Sequence, residues 1–262
     1  MLPPPTVVLG YALALLIGLS LGLLGGGGSI LTVPVLHYVL GYGVKAAVPM
    51  SLVVVGLTGA FGAVQHWRGG TVNLRAAVAF GPPAIVGALL GADFGLRVAA
   101  TVQLTVFAVV MLAAAVSMYF GAALSTRKET GAETASAPTV ATHPRLPLVT
   151  LVGAAVGLLT GFVGVGGGFV YVPALVVLGG LGMKEAVGTS LVLILLSCTA
   201  GVMRYRGSQL FDWSAIALFT AIAFVGVVVG SRMVQHVSQH ALRRGFAAFL
   251  LVMGALVLLR PH

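Results

Sequence analysis

Apolar runs separated by short joints organise the chain. They fall at roughly 6–24, 30–40, 45–65, 75–94 and 98–121, and again at roughly 148–163, 169–179, 184–203, 213–231 and 241–259. The runs are continuous and do not alternate apolar with polar positions, so they predict helices and not the strands of a β-barrel. At about 1.5 Å of rise per residue, a run of some 19 residues reaches nearly 30 Å, the thickness of a bilayer's hydrocarbon. The runs at 30–40 and 169–179 reach roughly 16 Å, about half of that. The pattern predicts an all-α integral membrane protein in the cell membrane, crossing it many times. The N-terminal MLPPPTVVLGYALALLIGLSLG has neither a basic n-region nor an A-x-A-like cleavage site, so it is expected to stay as the first helix.

The two sets of five runs are copies. Residues 18–53 align without a gap on 157–192, a shift of 139, with 17 of 36 positions identical. The matched pairs include Gly25/Gly164, Gly27/Gly166, Gly28/Gly167, Pro34/Pro173, Lys45/Lys184 and Ser51/Ser190. Shared apolar composition does not put glycine, proline and lysine in one register. Three parts follow: an N-terminal transmembrane repeat over 1–123, a linker over 124–147, and a C-terminal transmembrane repeat over 148–262. The linker, LSTRKETGAETASAPTVATHPRLP, is poor in large apolar residues and is expected to be a tether.

Composition agrees. Of 262 residues, 59% are hydrophobic and only 7% charged, where soluble domains are nearer a quarter charged. Mean hydropathy is +1.11. The net charge of +9 does not point to nucleic acid, because the 14 Lys and Arg are scattered over interhelical joints. Five crossings per half would insert the halves in opposite orientations. On that inverted-repeat arrangement the cations split nine to five, with Arg68, Arg75, Lys184 and Arg232 on the richer side and Lys45, Arg97 and Arg204 on the other. The positive-inside rule then puts the richer side in the cytoplasm and both termini outside. A parallel arrangement splits them eight to six. The single Cys198 excludes an intrachain disulfide and a cysteine metal cluster, and neither a metal nor a cofactor is expected.

Each half breaks at glycines just before its short run: GGGGS over 25–29 and GVGGG over 164–168. An unpaired backbone N–H or C=O in hydrocarbon costs several kcal/mol, so irregular backbone survives there only inside protein or around a wet cavity. The helix that begins after such a break offers amides without intrahelical partners and the positive end of its dipole, which favours anions. Paired broken helices in matching places are a pointer to a transporter's binding site. The expected anion-binding residues are therefore Gly25, Gly26, Gly27, Gly28 and Ser29 in the first half, and Gly164, Gly166, Gly167 and Gly168 in the second. Ser29 is expected to cap the short helix or to donate to the ligand. Pro34 and Pro173 are expected one turn into the short helices. The repeat-matched hydroxyls of Ser51, Thr189 and Ser190 either donate to the anion or bond back to their own helix. Gly87/Gly91 and Gly226/Gly230 fit helix packing instead.

The titratable groups add little. The five acids lie in the linker or near helix ends, leaving no carboxylate relay, and a site poor in carboxylates suits an anion. His37, in the first short run, is a candidate for proton coupling, or else a histidine bonded to a backbone carbonyl. His66, Arg68, Arg204 and Arg206 end long segments, as interfacial anchors or as an anion-gathering vestibule. GVGGGF lacks the last glycine of G-x-G-x-x-G and follows no strand, which removes nucleotide binding.

GGGGSILTVPVL, GVGGGFVYVPALVVLGGLGMKEAVGTSLV and the joint QHWRGGTVN together resemble the sulfite exporter TauE/SafE family of membrane transporters. The likeness covers both halves and leaves out only the linker. It implies transport of a sulfur-containing anion such as sulfite, thiosulfate or an organosulfonate, with export as the expected direction. The family's joint often reads G-x-V-D; here Asn73 takes that place and Asp212 appears only in the second half. The alternatives are a passive anion channel and an intramembrane enzyme. A rhomboid-like protease needs G-x-S-G, and Ser29 stands in G-G-S-I, so the chain is not expected to be an enzyme.

Overall fold

The computed structural model describes residues 5–99, 146–164, 167–177, 179–205 and 211–234, most of 101–113, and a few positions between 237 and 251. The elements are α1 (Pro5–Leu24), α2 (Gly27–Pro34) with a π-helical turn (Val35–Val39), α3 (Val44–Arg68), α4 (Leu74–Arg97), α5 (Leu146–Val163), α6 (Gly168–Val177), α7 (Met183–Arg204) and α8 (Trp213–Met233). Four of them, α3, α4, α7 and α8, are long and apolar enough to cross a membrane. The protein is a multi-pass helical membrane protein. Residues 114–121 of the expected segment 98–121 and most of the expected segment 241–259 lie outside the described residues, as do linker residues 124–145.

The two short helices exist, but the first begins at Gly27, ahead of the expected Ile30. Pro34 is consequently about two turns in and not one, and it is the last residue of α2 before the π turn. A proline has no N–H to give, and its ring crowds the carbonyl four residues back. The backbone answers by widening, with Leu40 N–H reaching Val35 O at 3.0 Å, five residues back.

Each half's opening helix docks on the other half's fourth segment: α1 lies on α8, and α5 on α4. The backbones touch. A Cβ added at Gly91 would stand 1.9 Å from Leu158 O, and one at Gly226 would stand 2.3 Å from Leu15 O. The expected packing glycines do that work. In lipid, where apolar burial between helices gains little over contact with lipid tails, such close approach supplies the dispersion that holds helices together. Between these pairs, α3 packs against α7 and α8, and α7 also against α4.

Polar ties fix which ends meet. At one end, Asn73 N–H donates to Thr189 Oγ1 at 2.9 Å while Asn73 Oδ1 caps α4 by accepting from Ala76 N–H, so α4 begins beside the second turn of α7. At the other end, Lys45 Nζ donates to Gly95 O at 2.7 Å and Val98 O at 2.5 Å. The lysine there satisfies carbonyls that a helix end leaves open. Arg204 pairs with Asp93 at the same end, bringing the last turn of α7 beside that of α4.

Candidate functional site

Both breaks turn on a glycine with positive φ: Gly25 at +72° and Gly164 at +76°. A residue with a Cβ pays roughly 1–2 kcal/mol to adopt that conformation. In the first break only Gly25 and Gly26 leave the helical path. Gly26 is the N-cap of α2 and already sits in the right-handed region. The expected five-residue irregular stretch is thus shorter, because one left-handed glycine is enough to redirect the chain. Gly27, Gly28 and Ser29 form the first turn of α2, and a Cβ at Gly28 would stand 2.1 Å from Ile17 O, so this glycine serves the fold-back of α2 onto α1. Ser29 does not cap; its Oγ donates to Gly26 O at 2.6 Å. The second break leaves the helix at Gly164 and re-enters at Gly168 by way of Gly167. Gly166 lies outside the described residues.

Each break packs into the opposite half. A Cβ on Gly25 would lie 2.6 Å from Ser190 Oγ and 3.1 Å from Val187 Cα, on α7. A Cβ on Gly164 would lie 2.5 Å from Val48 Cγ1, on α3, and Ser51 Oγ donates to Gly164 O. Val48 and Ser51 are the repeat mates of Val187 and Ser190, so one contact is made twice with the halves exchanged. The breaks also meet each other: a Cβ on Gly168 would stand 2.3 Å from Gly26 Cα and equally close to Ile194 Cδ1. The amides that open α2 belong to Gly27 and Gly28, the one that opens α6 to Gly168, and a helix leaves such donors without partners of its own.

The hydroxyls around this junction are fully buried. In this arrangement they bond to backbone: Ser51 Oγ to Val48 O and Ser190 Oγ to Val187 O, both at 2.8 Å. Thr189 is drawn off to the helix end, where it accepts from Asn73. The sequence reading passed over Thr32 and its mate Tyr171. Both are fully buried on the short helices, and the signal was there, a hydroxyl at matched positions in otherwise apolar segments.

The titratable candidates do not converge on the junction. His37 Nδ1 donates to Tyr42 O at 2.7 Å and so ties the π turn to the loop that follows it. His66 is buried, its Nε2 donating to Gly22 O at 3.2 Å and its Nδ1 lying 2.9 Å from Thr71 Oγ1. Arg68 is exposed at the end of α3. Arg204, at the opposite end of the bundle, is taken by Asp93. These residues do not form one vestibule, and Arg206 lies outside the described residues. Outside the spans, Tyr42 Oη donates to Asp212 Oδ2 at 2.6 Å. Hydrogen bonds from Ser214, Tyr42 and the Ala215 amide hold the Asp212 carboxyl down at about 2, and partial burial and the Asp212 carboxylate push the Tyr42 phenol up to about 12. Among the described residues no three His, Cys, Asp or Glu side chains converge to hold a metal.

Comparison with known proteins bears on this arrangement. The family model for sulfite exporter TauE/SafE matches residues 10–257. A probable membrane transporter protein of Xylella fastidiosa (strain 9a5c) is 30% identical over 252 residues, covering 94% of this chain and 92% of its own. A probable membrane transporter protein of Bacillus subtilis (strain 168) is 23% identical over 244 residues, covering 93% and 96%. No solved structure matches.

Proposed function

The chain belongs to the sulfite exporter TauE/SafE family, and as a membrane transporter of that family we propose that it is a secondary carrier for a small sulfur-containing anion. Sulfite, thiosulfate and organosulfonates are the substrate class, and export is the direction. The anion is held where the two breaks meet, by amides of Gly27, Gly28 and Gly168 and by the dipoles of α2 and α6. Ser29, Ser51 and Ser190 exchange a backbone carbonyl for a substrate oxygen when the junction opens.

The observation that carries this reading is the reciprocal contact, Gly25 on α7 and Gly164 on α3, closing at Gly26 and Gly168. Two related halves that each insert a helix break into the other form one shared site, and moving one half against the other changes which side reaches it. The ties at the helix ends support inverted halves. Lys45 starts α3 beside the end of α4, whereas Thr189 lies near the start of α7, beside the start of α4. Both ties fit repeat mates α3 and α7 that run in opposite directions. The serine hydroxyls are engaged with carbonyls, which fits a closed form between two open ones.

Reconstitution tests this. Radiolabelled sulfite, thiosulfate and methanesulfonate are offered to proteoliposomes preloaded with the same anion. Saturable flux accelerated by the internal anion marks a carrier. Flux linear in concentration marks a channel, and absence of flux for every sulfur anion removes the proposal.

A further inference from the structure

The fourth helix of each half leaves its own half. Among the described residues, α3 and α4 follow one another in the chain but do not pack along each other, and neither do α7 and α8. Instead α4 lies on α5 and α7, and α8 lies on α1 and α3. The polar ties agree. Both ends of α4 are held to α7, by Asn73 N–H on Thr189 Oγ1 and by Asp93 with Arg204. The start of α8 is held to the first half by Tyr42 on Asp212, and its length by the stacked rings of Phe61 and Phe224, 4.9 Å apart.

Glycines join the helices in two different ways. In the pairs α1–α8 and α4–α5 they meet backbone. A Cβ at Gly18 would stand 2.0 Å from Ala223 O and one at Gly22 2.6 Å from Val227 O; one at Gly157 would stand 2.0 Å from Ala84 O. Larger residues separate these glycines along each helix, so a slide of one residue would drive a Cβ into a carbonyl. Helices nested this closely move as a unit. Between α3 and α7 the glycines meet side chains. A Cβ at Gly56 would lie 3.1 Å from Cys198 Cβ, one at Gly59 3.2 Å from Ile194 Cγ2, and one at Gly62 3.1 Å from Leu191 Cδ1. These three glycines are spaced by three residues, and so are Leu191 and Ile194. A slide of about 5 Å therefore seats Leu191 on Gly59 and Ile194 on Gly56. The seam offers two registers of similar fit, as packed helices that shear require.

We propose that the two bodies that move are α1–α3 with α8 and α5–α7 with α4, each half lending its fourth helix to the other, and that they shear along the α3–α7 seam. This rests on the reading of the protein as an alternating-access carrier and states which helices make up its moving parts. Gly25 against Ser190, and Ser51 Oγ on Gly164 O, then join the break of one body to the third helix of the other. Lys45 Nζ on Gly95 O ties the two bodies at one end.

The test is electron–electron distance measurement on the full chain in liposomes, with Cys198→Ala and gadolinium(III) labels attached through thioethers. Labels are placed in pairs at four exposed positions, Leu9→Cys on α1, Phe94→Cys on α4, Leu151→Cys on α5 and Met233→Cys on α8. Distances are read without anion, with sodium sulfite and with sodium thiosulfate. The pairs 9–233 and 94–151 each lie within one body but across the halves, and they keep one distance in every condition. The pairs 9–94 and 151–233 each lie within one half but across the bodies, and they show two populations or a shift of about 5 Å, one helical turn. The reverse pattern would overturn the assignment, and so would four distances that never change. The expected pattern in a chain that carries no sulfur anion into proteoliposomes would uphold the two bodies and remove only the substrate reading.

Discussion

Tyr42 gives its phenol hydrogen to Asp212 Oδ2 across 2.6 Å, and so fastens the loop after the first short helix to the N-terminus of α8, in the other half of the chain. The other oxygen of Asp212 accepts from Ser214 and from the Ala215 amide, capping α8. The repeat mates of the two residues are Leu181 and Asn73, so the opposite end of the bundle lacks this tie. The carboxyl is held at about 2 against an ordinary 3.8. A depressed folded value means that its stabilisation is complete above pH 4 and is lost as pH falls toward 2. Asp212→Asn, which still caps a helix, should therefore melt with less pH dependence between pH 4 and pH 2 and with the wild-type pH dependence between pH 5 and 8. Melting curves across that range check it.

The left-handed glycines should not be equal under substitution. Gly25→Ala and Gly164→Ala meet both the backbone penalty and a neighbour, Ser190 or Val48, at 2.5–2.6 Å. The two costs together come to about 2–5 kcal/mol. Gly41 has φ +79° but nothing within 4 Å of an added Cβ, so Gly41→Ala costs only about 1–2 kcal/mol. Chemical unfolding in detergent should rank the first two well below the third.

Gly43 and Gly182 are repeat mates, both exposed, and they cap α3 and α7 with ordinary extended backbone, φ −60° and −61°. Cysteine is tolerated there. With the fully buried Cys198 replaced by serine, an impermeant thiol reagent added to intact cells should label Gly43→Cys and spare Gly182→Cys. Labelling of both or neither would mean that the halves run parallel.

Among the described residues, the positions of the long helices were legible because lipid makes a span one unbroken apolar run. The breaks showed as four glycines where hydrocarbon tolerates no loose backbone. How far each break extends did not show. Glycine at 25 turns the chain and glycine at 28 admits Ile17 O, and a sequence of identical residues cannot tell the two uses apart. Pairing was equally hidden: Arg204 and Arg68 look alike as terminal cations, but only the fold puts Asp93 beside one and brings Gly22 O to the buried His66.

The junction of Gly26 and Gly168 is the proposed seat of the anion. Trans-accelerated flux of sulfite and thiosulfate in proteoliposomes, measured side by side for wild type and Gly168→Ala, addresses it most directly, with thermal melting to verify that the variant is folded. A Cβ at 168 must push against Gly26 Cα, so saturable flux should be present in wild type and lost in the folded variant. Flux of wild-type size in Gly168→Ala, or no saturable flux of either anion in wild type, would contradict it.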